Sequence, residues 1–242
     1  LRILRYIRFY INYSKNKHEE DVKKIIRQNI HGVALLSKER LISELKKIFL
    51  SENFHNFYND AFSKEIISLI FPQLKYFNIF KSSNKYVEEI FKKKDFDFIL
   101  ALLTIDETDN TDFFLYKYKF SNKTKERLKF LYNIYSKPVE DNLFKKESLW
   151  KIYYKYNKHY LLDLINFSLC KSKKNNRNLI ELRDYFSKKE KPIFPIKAKD
   201  IMEQYGLKES KYLGKKLREI EDFWINNGLK ISNSEIKKII HS

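Results

Sequence analysis

Apolar residues recur every three to four positions along almost the entire chain, and very little interrupts them. Only 4 Gly and 4 Pro punctuate 242 residues. Strand-rich sandwiches and barrels, and glycine-rich cofactor loops, need more turn residues than that. The spacing predicts helices instead. Residues 1–13 place Ile3, Leu4, Ile7 and Ile11 on one face, and 19–30 repeat the pattern with Val22, Ile25, Ile26 and Ile30. Ser37 predicts an N-cap for a helix to about Leu50, with Glu39 in the first turn and Lys46 and Lys47 in the last. Further helices are predicted near 54–70, 84–104, 122–136, 146–170 and 177–187. Residues 105–120 also fit an extended run, through Phe113, Phe114, Tyr116 and Tyr118, and 171–176 read as a loop. After Pro192 and Pro195 come a helix over 198–205, a turn at Gly206, a long helix over 209–226, a turn at Gly228 and a short helix over 233–241. The expected fold is all-α, an irregular multi-helix array with no substantial sheet.

The net charge is +18, carried mostly by lysine: 40 Lys against 9 Arg. Abundant Lys, Asn, Ile, Phe and Tyr suit an AT-rich genome, so the total says less than its distribution. Residues 1–50 carry +7, residues 51–150 carry +1 and residues 151–242 carry +10. Two basic ends around a neutral middle suit a surface that faces a polyanion such as RNA. A 43% apolar and 16% aromatic composition argues against disorder.

One cysteine, Cys170, excludes an internal disulfide framework and a cysteine-based structural zinc site; a buried small hydrophobe is its simplest role. The five histidines (18, 31, 55, 159 and 241) show no ligand spacing. The longest apolar run, Phe96–Ile105, is too short to span a bilayer, and there is no signal-peptide pattern. No membrane association and a cytoplasmic location are expected. The chain opens in the middle of an amphipathic pattern, so sequence upstream of Leu1 is expected to have been lost.

Arg2, Arg5 and Arg8 recur at i, i+3 and i+6, projecting from the side opposite the isoleucine stripe. They are three of nine arginines in a chain that prefers lysine. Each offers a planar five-donor fork suited to phosphate oxygens or a base edge. Weaker candidates for RNA contacts are Tyr153, Tyr154, Tyr156 and Tyr160, interleaved with Lys151, Lys155 and Lys158. Lys211, Lys215, Lys216 and Arg218 on the long final helix could meet RNA phosphates. Asp95-Phe96-Asp97 has the spacing of a metal-binding carboxylate pair. It leads into a core-helix run with no glycine-rich loop upstream, so it reads as structural. Asp106, Asp109 and Asp112 lack the glycine and terminal glutamate of a calcium loop.

Leu1-Arg2-Ile3-Leu4-Arg5-Tyr6-Ile7-Arg8-Phe9 resembles the neck helix of class II CCA-adding enzymes and bacterial poly(A) polymerases. Arg2 falls on the arginine of that family's Glu-Asp-x-x-Arg element, whose acidic pair would lie before Leu1. Arg5 and Arg8 fall on the two arginines that follow it. Leu36 to Leu45 is similar to the helix that braces the neck, where Arg40 and Glu44, four apart, would pair as a buttress. Phe71-Pro72 with Leu74 resembles the turn entering the body. Phe194-Pro195-Ile196-Lys197-Ala198-Lys199-Asp200-Ile201-Met202, then Gly206, Leu213-Gly214, Leu217, Glu221 and Trp224, are similar to the family's final segment. Ala198 replaces the usual glycine there, and Glu209-Ser210 a common Pro-Gly pair. The matches cover roughly 1–50, 66–80 and 192–242.

The resemblance implies three regions: a neck-like nucleotide- and RNA-binding part over 1–80, a helical body over 81–191 and a small tail over 192–242. It implies that Arg2 would hydrogen-bond the base of ATP or CTP, with Arg5 and Arg8 lining the nucleotide site. The RNA partner would be a tRNA or other RNA 3′ end. The family's catalytic head, with its Gly-Gly loop, Asp-x-Asp pair and Mg²⁺, has no counterpart in this sequence. No catalytic residue, metal or other cofactor is therefore expected in the chain itself, and the chain alone should not catalyse. It reads as a fragment, a split-gene product working with a separately encoded head, or a remnant. CCA addition and polyadenylation share the motif and stay open. The alternative is a helical RNA-binding or protein-interaction module with no nucleotide site.

Overall fold

A computed structural model of the chain describes residues 1–14, 16–81, 88–89, 92–136, 142–172 and 176–242. Among these residues there are fourteen α-helices and no strand, so the fold is all-α. In chain order the helices are α1 (Arg2–Tyr13), α2 (Glu20–Asn29), α3 (Lys38–Phe49), α4 (Phe54–Asn59), α5 (Ala61–Ile70), α6 (Phe96–Thr104) and α7 (Asn110–Lys117). They continue with α8 (Asn122–Tyr135), α9 (Lys146–Lys155), α10 (Lys158–Lys171), α11 (Arg177–Ser187), α12 (Ala198–Tyr205), α13 (Lys211–Asn226) and α14 (Asn233–His241). Short 3-10 segments cover Ile30–Leu35 and Phe77–Lys81.

Polar caps set the boundaries. Ser37 accepts from the Arg40 backbone N–H and starts α3 as predicted. The single helix predicted over 54–70 is two. Asp60 takes an extended backbone, and its carboxylate accepts from the Ser63 N–H at 2.7 Å, starting α5 afresh. The helix predicted over 146–170 also divides, because Asn157 accepts from the Tyr160 N–H at 3.2 Å and begins α10. The extended alternative for 105–120 is not adopted. Asn110 donates to the carbonyls of Gln73 and Thr104, at 3.0 and 2.7 Å, and anchors the start of α7. The helix predicted over 84–104 is interrupted too: Lys94 takes a φ of 51°, and Asp95, extended, accepts from the Phe98 N–H and starts α6; residues 84–87, 90 and 91 lie outside the described residues. Residues 173–175 of the expected loop also lie outside them. Ser210 caps α13, in place of the Pro-Gly pair, and Gly206 ends α12 with φ of 65°, the left-handed conformation glycine adopts without strain.

The chain divides into two compact units. One comprises Leu1–Val139 and Asn166–Asn176, the other Glu140–Ile165 and Arg177–Ser242; the division falls within α10. In the first unit Leu4, Ile7 and Ile11 of α1 are buried where α1 packs along α3, whose Leu41, Leu45, Ile48 and Phe49 are buried too. Helix α6 is buried on nearly every side, through Phe96 and Phe98–Thr104, and packs against α8. In the second unit Ile201, Leu213, Ile220, Ile236 and Ile240 form one apolar cluster, flanked by Phe194, Leu217 and Ile231. Trp224 meets the edges of Tyr154 and Phe194 at 5.1 and 5.4 Å.

Candidate nucleic-acid interface

Burial of Leu4, Ile7 and Ile11 fixes which side of α1 faces outward. That side carries Arg2, Arg5, Phe9 and Tyr13 at i, i+3, i+7 and i+11, so two guanidinium groups and two aromatic rings form one exposed stripe. Phe9 is 52% and Tyr13 76% exposed, with ring centroids 5.9 Å apart. Arg8 lies beside the stripe, its guanidinium carbon 4.7 Å from the Phe9 ring centroid. Exposed rings among arginines are the residue types that hold single-stranded nucleic acid, rings stacking on bases and guanidinium groups meeting phosphates. Sequence reasoning overlooks Phe9 and Tyr13, although a signal is there. Both lie four apart on the arginine side, where an amphipathic helix normally carries polar residues.

The arginines are positioned from α3. Glu44 is only 3% exposed. It accepts from Arg8 Nε at 3.0 Å and from Lys47 Nζ at 2.9 Å, and Arg5 Nε lies 3.8 Å from it. Burial pushes this carboxyl up, but the hydrogen bonds from Lys47 and Arg8 outweigh it and hold the group below the usual carboxylate range. This geometry corrects the expected buttress between Arg40 and Glu44. Glu44 turns inward to α1, while Arg40 lies exposed on α3. Spacing of four permits an intrahelical pair, but a buried carboxylate is better served by the arginine that faces it across the interface.

Arg2 helps to line a cleft of about 750 Å³, together with Tyr6, Ile25, Ile26 and Val33. Beneath that end of α1 runs a chain of side-chain hydrogen bonds that no motif announces. Tyr6 OH meets His18 Nδ1 at 2.8 Å, and His18 Nε2 meets Asp60 at 2.9 Å. The buried His18 ring stacks on Tyr10 at 3.5 Å. Burial pushes the Tyr6 and Tyr10 phenols up. The Asp60 carboxyl is held below its ordinary value: burial opposes this, but bonds from Ser63 and His18 prevail.

On α13 the structure separates the four basic candidates. Lys211, Lys215 and Arg218 are exposed at i, i+4 and i+7 and share a face. Lys216 points the other way. It is 5% exposed, and its ammonium donates to Glu219 at 3.0 Å and to Ser242 Oγ at 3.3 Å, so it is a structural lysine. The tyrosine group separates too. Tyr153 is buried and donates to the Lys189 carbonyl at 2.9 Å, and Tyr154 donates to Glu221. Tyr156 keeps an exposed ring.

Asp95 and Asp97 are committed to structure. Asp95 caps α6 and takes a two-pronged bond from Arg127, at 2.8 and 2.7 Å, while Asp97 accepts from Thr124. Asp106 pairs with Lys75 at 2.9 Å and accepts from Thr108. Among the described residues no group of three His, Cys, Asp or Glu could hold a metal, and no helix is long and apolar enough to cross a membrane. Cys170 is buried.

Residues 17–78, from just before α2 to the second 3-10 segment, match a family model described as "Probable RNA and SrmB-binding site of polymerase A". Over 244 aligned residues the chain is 25% identical to CCA-adding enzymes from two strains of Lactococcus lactis subsp. cremoris, SK11 and MG1363. The alignments cover 99% of this chain and 58% of each relative. The chain thus spans a little over half the length of these relatives, and it is similar to them along nearly its whole length.

Proposed function

We propose that this chain is the RNA-binding and nucleotide-selecting part of an RNA 3′-end nucleotidyltransferase, working with a catalytic head that supplies the metal-binding carboxylates. The observation that carries the proposal is the outer stripe of α1, two exposed arginines with two exposed aromatic rings, and Arg8 held beside it by the buried Glu44. The similarity to CCA-adding enzymes supports the same reading.

Each residue then has a physical task. Arg2, beside an apolar cleft, presents its fork to a base edge. Arg5 and Arg8 favour the phosphates of ATP or CTP. Glu44 bonds Arg8 through Nε and so fixes the guanidinium plane before a ligand arrives, which lowers the ordering cost of binding. Phe9 and Tyr13 provide a stacking surface for the RNA end. Lys211, Lys215 and Arg218 hold RNA phosphates by charge. The Asp95 and Asp97 carboxylates do not suit a pair of Mg²⁺ ions, because they are bound to Arg127 and Thr124. The proposal therefore assigns Mg²⁺ to the head, joined covalently or as a separate chain.

The test is single-nucleotide incorporation onto an RNA primer, with the head present and each of the four nucleotides supplied in turn. Arg2→Ala should blur the choice of nucleotide, because a wrong base, once bound, shields the fork's donors from water without pairing them, at about 1–3 kcal/mol. Arg8→Ala should weaken all four nucleotides more evenly. Arg2→Lys should rescue little, since a point charge does not replace a planar fork. Unchanged preference in Arg2→Ala with a lower overall rate would remove the base-reading role. Unchanged incorporation in all three variants would leave a helical RNA-binding module with no nucleotide site.

A further inference from the structure

The first unit also contains a basic concavity that shares no lining residue with α1 and is used by none of the steps above. It measures about 470 Å³, and Lys75, Tyr76, Asn78, Lys81, Lys171 and Ser172 line it. Lys171, the last residue of α10, is its unusual member. The aliphatic stem is half-buried, and the ammonium lies 3.7 Å from the centroid of the Tyr76 ring. One N–H reaches the Ile105 carbonyl at 3.2 Å. A lysine drawn inward normally meets a carboxylate, because burying an unpaired charge is costly. The nearby carboxylate is Asp106, and its hydrogen bond goes to Lys75, at 2.9 Å.

We propose that this concavity is a phosphate-binding subsite, in which Lys171 supplies the central ammonium, Lys75 and Lys81 supply flanking charge, and Asn78 supplies a neutral donor. Asp106 is paired with Lys75 and Asp109 acts on the same lysine, so Lys81 and Lys171 keep the rim positive; the Lys171 ammonium carries three donors, of which Ile105 takes one. Burial lowers the Lys171 amine to about 8, and Asp106 and Cys170 only partly oppose the fall. A phosphate arriving beside it would restore the charged form, so binding and protonation are coupled. The phosphate could belong to an RNA backbone or to a nucleotide. The RNA version rests on the function proposed above, and the nucleotide version does not.

The experiment is acylation of the full chain at pH 8 by an amine reagent, read lysine by lysine by mass spectrometry. The protein is tested alone, with inorganic phosphate, with ATP and with a short single-stranded RNA. An amine at about 8 is half deprotonated at that pH, and raising it by about one unit should slow its acylation about fivefold. Slowing by RNA alone assigns a backbone phosphate, and slowing by ATP or inorganic phosphate assigns a free anion site. An equal rate at Lys171 in every arm overturns the proposal. A second measurement uses Lys171→Gln and Lys171→Arg. If the backbone version holds, Lys171→Gln should reduce the salt slope of RNA binding by the share of about one phosphate, and Lys171→Arg should keep it. An unchanged slope in Lys171→Gln overturns that version. Should the chain bind no RNA, the proposed function fails, while the phosphate and ATP arms still decide the subsite.

Discussion

Glu44 and Arg40 are four residues apart on one helix, yet they live in different surroundings. Glu44 faces α1, where Arg8 and Arg5 approach it, and Arg40 faces outward. Removing the charge should therefore matter only at the first. Glu44→Gln is expected to cost about 1–3 kcal/mol, because it leaves cations around an uncharged buried group. Arg40→Ala should cost no more than about 0.5 kcal/mol. Denaturant unfolding at pH 7 measures both, and equal costs would remove Glu44 from its positioning role. The pH dependence has a definite sign. The folded Glu44 carboxyl lies below its ordinary value, so its contribution is complete above the unfolded pKa of about 4.3 and fades as pH falls through the lower folded value. The gap in Tm between parent and Glu44→Gln should thus shrink on acidification from pH 5 downward. A gap that stays constant to pH 3 would contradict this.

Among the helices, two aspartates each serve a helix start and a distant partner. Asp60 begins α5 and also receives His18. Asp60→Ala loses both, and a cost of about 1–3 kcal/mol is expected. Asp60→Asn keeps a capping oxygen and should lose less than half as much; thermal melts distinguish the two, and identical losses would show that the cap contributes nothing. Asp95 begins α6 and neutralises Arg127, which is 7% exposed. Asp95→Ala removes the α6 cap and the two-pronged bond to that guanidinium, for a cost of about 1–3 kcal/mol in urea unfolding. A loss below about 1 kcal/mol would mean that the pair is effectively solvated. Caps of this kind also explain why the helices predicted over 54–70 and 146–170 run on too far. An apolar period continues through a cap, and only a side chain turned back onto the next N–H reveals the break.

Across the whole chain, the positive charge gathers at both ends of the sequence, and the structure sorts it into exposed and committed groups. Lys211, Lys215 and Arg218 are exposed, with only a loose 3.7 Å pairing of Lys215 to Glu219, whereas Lys216 is buried and bound to Glu219 and Ser242. Replacing the first three by glutamine should weaken RNA binding and flatten its salt dependence, by about 0.7 for each phosphate of single-stranded RNA that is no longer neutralised. Lys216→Gln should instead lower Tm and leave the salt slope as it was. Binding titrations across a salt series, with melts on the same samples, separate the two classes. A fall in slope for Lys216→Gln without loss of stability would reverse the assignment.

The all-helical class, the α1 arginine row, the Ser37 cap and the final three helices, to within about two residues, are legible in the amino-acid order alone. Each is written in interactions that reach no more than four positions along the chain: an apolar period, a cap, a glycine after a helix end. Which charges are free is settled by packing alone. Glu44 meets Arg8 across 36 positions, His18 meets Asp60 across 42, Arg127 meets Asp95 across 32, and Lys216 meets Ser242 across 26. Such partners are chosen by burial, since a charge drawn out of water takes the complementary group that packing brings to it. Packing likewise left Phe9 and Tyr13 outside, because the burial of Leu4, Ile7 and Ile11 against α3 fixed the rotation of α1 and turned those rings toward solvent.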